Sequence, residues 1–287
     1  MPHDKTFVST GWLASQLGAP GIAIIDASWY LPDAHRDAHA EYLAGHIPGA
    51  VFFDIDWISD HASPLPHMLP DPVSFSSAMR KLGLGDGMKL VVYDSAGLFS
   101  APRVWWTLKT FGVRDVAVLA GGLPKWKAEG RALEDGPVHR QNRHFTARLN
   151  HGAVANAAGI RRALAEQSAQ VVDARSAPRF QGAAPEPRPG LRAGHIPGSL
   201  NLPWGNLLDG TQLKPAHEIE AEFVAAGVDL ARPVITTCGS GISAAILALA
   251  LESLDRPVAG LFDGSWAQWG ADTTLPIATG PAGASHA

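Results

Sequence analysis

The stretch TTCGSGISAAILALAL, Thr236 to Leu251, carries the only cysteine of the chain, Cys238. A β-rich run, Val234–Thr237, leads into it and a helix-like run, Ser243–Leu254, follows, so the thiol falls where a strand turns into a helix. In open α/β sheets ligands bind there, beyond the carboxyl ends of the strands. Gly239 and Gly241 permit tight backbone geometry, which lets the amides from Gly239 to Ala244 turn inward as a nest backed by the helix N-terminus. Such a nest suits an anion and favours thiolate over thiol, making the sulfur a nucleophile. As a residue type, free cysteine more often packs as a small hydrophobe. The glycines, the hydroxyls of Ser240 and Ser243 and the strand-turn-helix setting point instead to a reactive group.

Two chemistries use a cysteine cradled in this way. Phosphate-ester hydrolysis needs an arginine six positions after the cysteine, because the planar fork matches the phosphate oxygens. Ala244 stands there, and that chemistry is excluded. Sulfur transfer needs only the thiolate, which attacks a sulfur and keeps it as a persulfide, with the same backbone donors stabilising the anionic outer sulfur. Nothing in the turn contradicts it.

The elements that must position this turn come as a repeat. AIIDASWY (Ala23–Tyr30) returns as QVVDARSA (Gln170–Ala177), and AGHIPGA (Ala44–Ala50) as AGHIPGS (Ala193–Ser199). KLVVYDSAG (Lys89–Gly97) returns as PVITTCGSG (Pro233–Gly241), and VLAGGLPKW (Val118–Trp126) as GLFDGSWAQW (Gly260–Trp269). Four matches in one order, at an offset of roughly 145 residues, describe a duplicated domain. The 287 residues also exceed the about 100–200 of a single domain. The expected division is 1–134 and 151–287, joined by the polar, Gly-Pro-containing segment 135–150. Short β-rich runs (Ile22–Asp26, Leu90–Tyr93, Val116–Leu119; then Val171–Asp173, Val234–Thr237, Val258–Leu261) alternate with helix-like ones such as Val104–Phe111 and Ile160–Gln167. The fold class is α/β, each half a mainly parallel sheet with helices on both faces.

Taken together, DASWYLPDAHRDA, HIPGAVFFDID, SPLPHMLP, DARSAPRFQG, PEPRPG, GHIPGSLNLPW, CGSGISA and LFDGSWAQW resemble the tandem rhodanese-like sulfurtransferases over nearly the whole chain. The resemblance implies two rhodanese-like domains, of which the second carries the active cysteine and the first is a catalytically empty copy, with Asp94 where the repeat has Cys238. The turn Cys-Gly-Ser-Gly-Ile-Ser is similar to the Cys-Gly-Ser-Gly-Val-Thr of the branch that uses 3-mercaptopyruvate, with Ile242 and Ser243 the two departures. It lacks the cations of Cys-Arg-Lys-Gly-Val-Thr in the thiosulfate branch. The resemblance further implies that Gly239, Gly241, Ile242 and Ser243 line the substrate, that Arg179 and Arg188 are its two substrate arginines, and that Asp56, His67 and Ser240 form a proton relay beside Cys238. Guanidinium forks suit the carboxylate and carbonyl of a 2-keto acid. On the residues alone, each arginine also fits a solvated surface charge, Asp56 a helix cap near Trp57, and His67 an exposed residue of a Pro-rich loop. The partners implied are 3-mercaptopyruvate and an acceptor, either a thiol such as thioredoxin or a low-molecular-weight thiol, or cyanide. A thiosulfate sulfurtransferase and a non-catalytic sulfur-carrier module are the alternatives.

Other features set bounds. A formal charge of −4 without a Lys/Arg cluster suggests neither a nucleic-acid groove nor a membrane surface. The longest apolar run, Ile242–Leu251, is well short of the about 20 residues that span a bilayer. One cysteine and a start, MPHDKTFVSTGW, without a basic and then apolar leader read as cytoplasmic. No cofactor is expected. His35 and His39 lack a third ligand and read as a solvated helix face, so no metal is expected either. His46 and His195 in the paired GHIPG turns read as structural, Trp266 and Trp269 as core, and the last residues, ATGPAGASHA, as frayed.

Overall fold

The computed structural model describes residues 6–256 and 258–283. They divide into two compact units. The first takes in the chain up to Ala62, Leu69–Asn150 and Gly210–Gln212; the second takes in Ser63–Met68, His151–Asp209 and the chain from Leu213 onward.

The first unit holds a five-stranded sheet of β1 (Phe7–Val8), β2 (Ile22–Asp26), β3 (Ala50–Phe52), β4 (Lys89–Tyr93) and β5 (Val116–Leu119), in the order β1-β5-β4-β2-β3 and parallel throughout. Its helices are α1 (Thr10–Ser15), α2 (Ala38–Ala44), α3 (Pro72–Lys81), α4 (Ala101–Thr110) and α5 (Gly122–Ala128). Alternate strand residues Ile24, Val91 and Leu119 face α1 and α5, packing on Leu13, Leu123 and Trp126. Ile25, Val92 and Val118 point the other way and are equally buried, so the opposite face is covered too. There α4 contacts β4 and β5, and the Phe75 and Phe111 rings stack 4.0 Å apart. α4 starts three residues before its apolar run because Pro102, lacking an N–H, is tolerated in the first turn.

The second unit repeats this plan with β6 (Val154–Ala155), β7 (Gln170–Asp173), β8 (Leu200–Asn201), β9 (Val234–Thr237) and β10 (Val258–Phe262), in the order β6-β10-β9-β7-β8 and again parallel. Its helices are α6 (Ala157–Ala165), α7 (Ala177–Phe180), α8 (Ala216–Ala225), α9 (Ala244–Ser253) and α10 (Ser265–Trp269). Even the caps correspond. Ser9 accepts the Trp12 amide ahead of α1, and Asn156 accepts the Gly159 amide ahead of α6. Val171, Ile235 and Phe262 build one core with Ile160 of α6 and with Trp266 and Trp269, which are buried as aromatics of that core. α9 is buried from Ala244 to Leu251, as a helix apolar all round must be.

Several loop segments are more ordered than their composition suggests. The 135–150 segment has no regular secondary structure, yet Phe145 is buried against Phe75, its carbonyl accepts Arg80, and the amides of Arg148 and Asn150 bond to Phe111 and Thr110. The expected fraying of the C-terminus fails at Ala278, which exchanges both backbone hydrogen bonds with His195 at 2.8 and 2.9 Å. Residues 284–287 lie outside the described residues. The paired histidines anchor their turns through Nδ1, His46 to the Tyr42 carbonyl and His195 to that of Phe180. His35 and His39 do not share a helix face: His35 adopts a left-handed conformation before α2, and His39 packs on Phe52.

Candidate active site

β9 is central in its sheet, paired with β7 on one side and β10 on the other, and every residue in it is buried. Its end therefore delivers the next residue, Cys238, to a fixed point at the carboxyl edge. Cys238 is 2% exposed. Its Sγ accepts the Gly241 amide at 3.2 Å, and its own amide donates to Ser265 Oγ at 3.1 Å. Gly241 bends the chain back with φ +80°, a conformation that costs glycine little.

α10 turns the rest of the loop. The Trp266 amide donates to the Cys238 carbonyl at 2.9 Å and the Ala267 amide to that of Gly239 at 2.8 Å. In a trans peptide the carbonyl and the following N–H point in opposite directions, so the amides of Gly239 and Ser240 face away from α10. Ser243, at the head of α9, makes no capping bond with its hydroxyl, and Ile242 is buried behind the loop.

Two guanidinium groups reach this loop. Arg179, at the end of α7, lies so close to Gly239 that a Cβ there would sit 2.9 Å from its Nη2. Arg188 donates through Nη1 to Ser240 Oγ at 3.1 Å and through Nη2 to His67 Nε2 at 3.0 Å. Since arginine only donates, Nε2 of His67 accepts, which requires the neutral imidazole. His67 is not the exposed loop residue its Pro-rich surroundings suggest: it belongs to the second unit, is 7% exposed and is held at φ +60°. Cys238, Ser240, Arg179, Arg188 and His67 thus come together. Asp56 belongs to the first unit, where its Oδ2 accepts the Trp29 indole N–H at 2.9 Å. The turn around it is capped by Asp54, which accepts the amides of Asp56 and Trp57, so Asp56 caps no helix there.

Residues 9–129 and 156–272 each match the family described as the rhodanese-like domain. The chain belongs to the rhodanese-like family. It is 49% identical over 272 residues to the 3-mercaptopyruvate sulfurtransferase of Escherichia coli (strain K12), spanning 94% of this chain and 97% of that protein. It is 41% identical over 274 residues to the thiosulfate sulfurtransferase of Bos taurus, spanning 92% of each. The crystal structure of SseA from Escherichia coli, described as showing the rhodanese fold of 3-mercaptopyruvate sulfotransferases, aligns at a TM-score of 0.84 and 48% identity over 91% of this chain and 98% of that one.

The other rhodanese-like unit shows what the same loop does without a cysteine. Asp94 follows β4 as Cys238 follows β9, and the Leu123 amide donates to its carbonyl at 3.0 Å as Trp266 does to that of Cys238. Its own carboxylate fills the nest, accepting the amides of Ala96, Phe99, Ser100 and Ala101 at 2.7–2.9 Å. Burial raises the Asp94 carboxyl above its ordinary range despite these donors.

Sequence reasoning missed Ser265 and the pairing of Arg175 with Asp173 and Glu186. Arg175 is fully buried, its side chain 0% exposed against 1% for Asp173 and 2% for Glu186. Burial pulls its guanidinium down, and the two carboxylates more than offset that, so it is held above its usual range. Alignment of the two halves offers a signal for Ser265, which stands where the first has Gly122. Among the described residues no cluster of three or more His, Cys, Asp or Glu is arranged to hold a metal ion, and no helix is long and apolar enough to cross a membrane.

Proposed function

We propose that the protein is a 3-mercaptopyruvate sulfurtransferase, which takes sulfur from 3-mercaptopyruvate onto Cys238, releases pyruvate and hands the sulfur to a thiol or to cyanide. The observation that supports this most is the convergence on one loop: an amide donor 3.2 Å from the Cys238 sulfur, with Arg179 against Gly239 and Arg188 on Ser240. The kinship with relatives named for this activity adds to it.

Arg179 and Arg188 grip the carboxylate and the 2-keto oxygen, a pair of acceptors that two guanidinium forks match. The Cys238 thiolate attacks the substrate sulfur. An S–S bond forms as the C–S bond breaks, and the C–S electron pair passes to carbon, so pyruvate leaves as its enolate. Ser240 accepts from Arg188, which leaves its hydroxyl proton to be donated toward the reacting sulfur. The proton lost by the substrate thiol, moved by way of the Ser240 hydroxyl, balances the one the enolate gains, while His67 holds Arg188 through Nε2. The outer sulfur of the persulfide, anionic, rests among the amides of Gly239 to Ser243.

In the second half, an acceptor thiolate, from thioredoxin or a low-molecular-weight thiol of the cytoplasm, or cyanide, attacks the outer sulfur. The persulfide bond breaks and the Cys238 thiolate returns, so both halves balance without a cofactor. Mass spectrometry of the Cys238 peptide after substrate addition is expected to show the gain of one sulfur, and Cys238→Ala is expected to abolish pyruvate release. Pyruvate formed at the normal rate by that variant overturns the reading. The 41% identity to a thiosulfate sulfurtransferase supports a second donor, thiosulfate. With glycine and serine rather than cations at 239 and 240, kcat/KM is expected to favour 3-mercaptopyruvate.

A further inference from the structure

Glu186 occupies the middle of a buried chain of charges. At one end Asp173, the last residue of β7, takes Arg175 through Nε at 3.2 and 3.0 Å and through Nη2 at 2.7 Å. Arg175 Nη2 also donates to the Gly194 carbonyl at 2.9 Å, and its plane lies 4.4 Å over the Trp266 ring. That guanidinium is therefore fixed to the sheet. Its Nη1 donates to Glu186 Oε1 at 2.7 Å, and the other oxygen of Glu186 accepts Arg179 Nη2. With both oxygens engaged, Glu186 has one orientation, and Arg179 inherits it.

What Arg179 does with the rest of its donors points to a ligand. Among the described residues its Nε is buried without a hydrogen-bond partner, and the guanidinium rests against the side-chain-free face of Gly239. Glu186 also lies two residues before Arg188 in the run Pro-Glu-Pro-Arg-Pro, where three proline rings fix φ and leave the backbone little freedom. Anchoring Glu186 to Arg175 thus sets where Arg188 departs toward Ser240 and His67.

We infer that Glu186, held by the buried Arg175, is the positioning residue that aims both Arg179 and Arg188 at the substrate carboxylate and keto oxygen. This rests on the assignment of those two arginines to substrate. Glu186 touches neither substrate nor sulfur; it acts through the guanidinium groups, so its loss changes capture of the 2-keto acid and spares the transfer of sulfur from the persulfide to cyanide, which carries no carboxylate.

Three variants test this, each assayed for both half-reactions. Glu186→Gln removes the charge. Glu186→Asp keeps the charge that buried Arg175 needs, and therefore the fold, but is one methylene too short to span both arginines. Arg179→Met removes one of the arginines itself. In both Glu186 variants KM for 3-mercaptopyruvate is expected to rise about ten- to hundredfold, the span of losing an aligned charged hydrogen bond, with kcat changed less than about threefold. Discharge of a preloaded persulfide by cyanide is expected at the wild-type rate. An unchanged KM in Glu186→Asp, with KM raised in Arg179→Met, overturns the inference and leaves the substrate assignment standing. An unchanged KM in Arg179→Met overturns the assignment and, with it, the inference. Slowing of the cyanide step in proportion to KM makes Glu186 a merely structural residue and also overturns it.

Discussion

Ser265 Oγ accepts the amide of Cys238 at 3.1 Å while donating to the Phe262 carbonyl at 2.7 Å, and Ser265 does so from a left-handed backbone with φ +47°. Its counterpart in the first unit is Gly122, at φ +53°, where a Cβ would sit 2.6 Å from the Asp94 carbonyl oxygen. A left-handed backbone stands at this position in both units, once on glycine, which it suits, and once on serine, which it strains, and the strained residue is the one whose hydroxyl accepts the Cys238 amide. Ser265→Gly and Ser265→Ala both remove the hydroxyl, but only glycine relieves the backbone. The glycine variant is expected to be more stable than the alanine one by about 1 kcal/mol. Both are expected to lose about tenfold in kcat/KM for sulfur uptake, the worth of one hydrogen bond that holds the Cys238 backbone in place. Calorimetry and a pyruvate assay on the same preparations separate the two effects.

Gly239 is a second position where the side chain matters by being absent. Its φ is not in the left-handed region, so alanine meets no backbone objection there. The added methyl meets Arg179 Nη2 at 2.9 Å, and that guanidinium cannot step aside while Glu186 holds it. Gly239→Ala is expected to raise KM for 3-mercaptopyruvate about tenfold with little change in melting temperature. In the Glu186→Gln background, where Arg179 is already released, the same methyl is expected to cost less, a non-additivity measurable in a double-mutant cycle.

The parallel sheets were readable because buried strands in α/β halves are short apolar runs, and because the two halves repeat them in order. The cysteine loop was readable for a different reason: two glycines around a polar turn leave few backbone geometries. Arg175, Asp173 and Glu186 were not, since an arginine in DARSAPRFQG looks the same in sequence whether it is solvated or sealed against Trp266. The burial of His67 was not legible for a related reason. Its Nε2 meets Arg188, 121 residues away, and no local pattern of prolines reports a partner that distant.

Asp94 makes stability depend on pH in a defined direction. Burial raises its carboxyl in the folded protein, opposed by its amide donors, and Asp26 beside it is raised by burial as well, with Asp94 adding to the shift. A carboxyl whose folded value lies above its unfolded value of about 3.9 holds its proton more tightly when folded, so its contribution favours folding in acid and declines as pH rises through the folded value. Asp94→Asn removes that titration. The stability of wild type relative to the Asn variant is expected to fall as pH rises above the unfolded value and to level off above the folded value. Denaturant titrations at a series of pH values check it, and a difference that rises with pH contradicts the assignment.

Ser240 joins Arg188 to the cysteine loop, because the oxygen that accepts Arg188 belongs to a hydroxyl two residues from Cys238. If its proton assists the departure of sulfur from carbon, Ser240→Ala lowers kcat for pyruvate formation by about a hundredfold, the scale of a positioned proton donor, and Ser240→Thr restores most of it. Arg188→Met leaves that hydroxyl in place and is expected to act chiefly on KM. The discriminating measurement is again the second half-reaction. Cyanide brings no thiol proton, so discharge of the persulfide is expected to proceed in Ser240→Ala at close to the wild-type rate. Equal slowing of both halves assigns the hydroxyl to holding the persulfide anion instead of moving the proton.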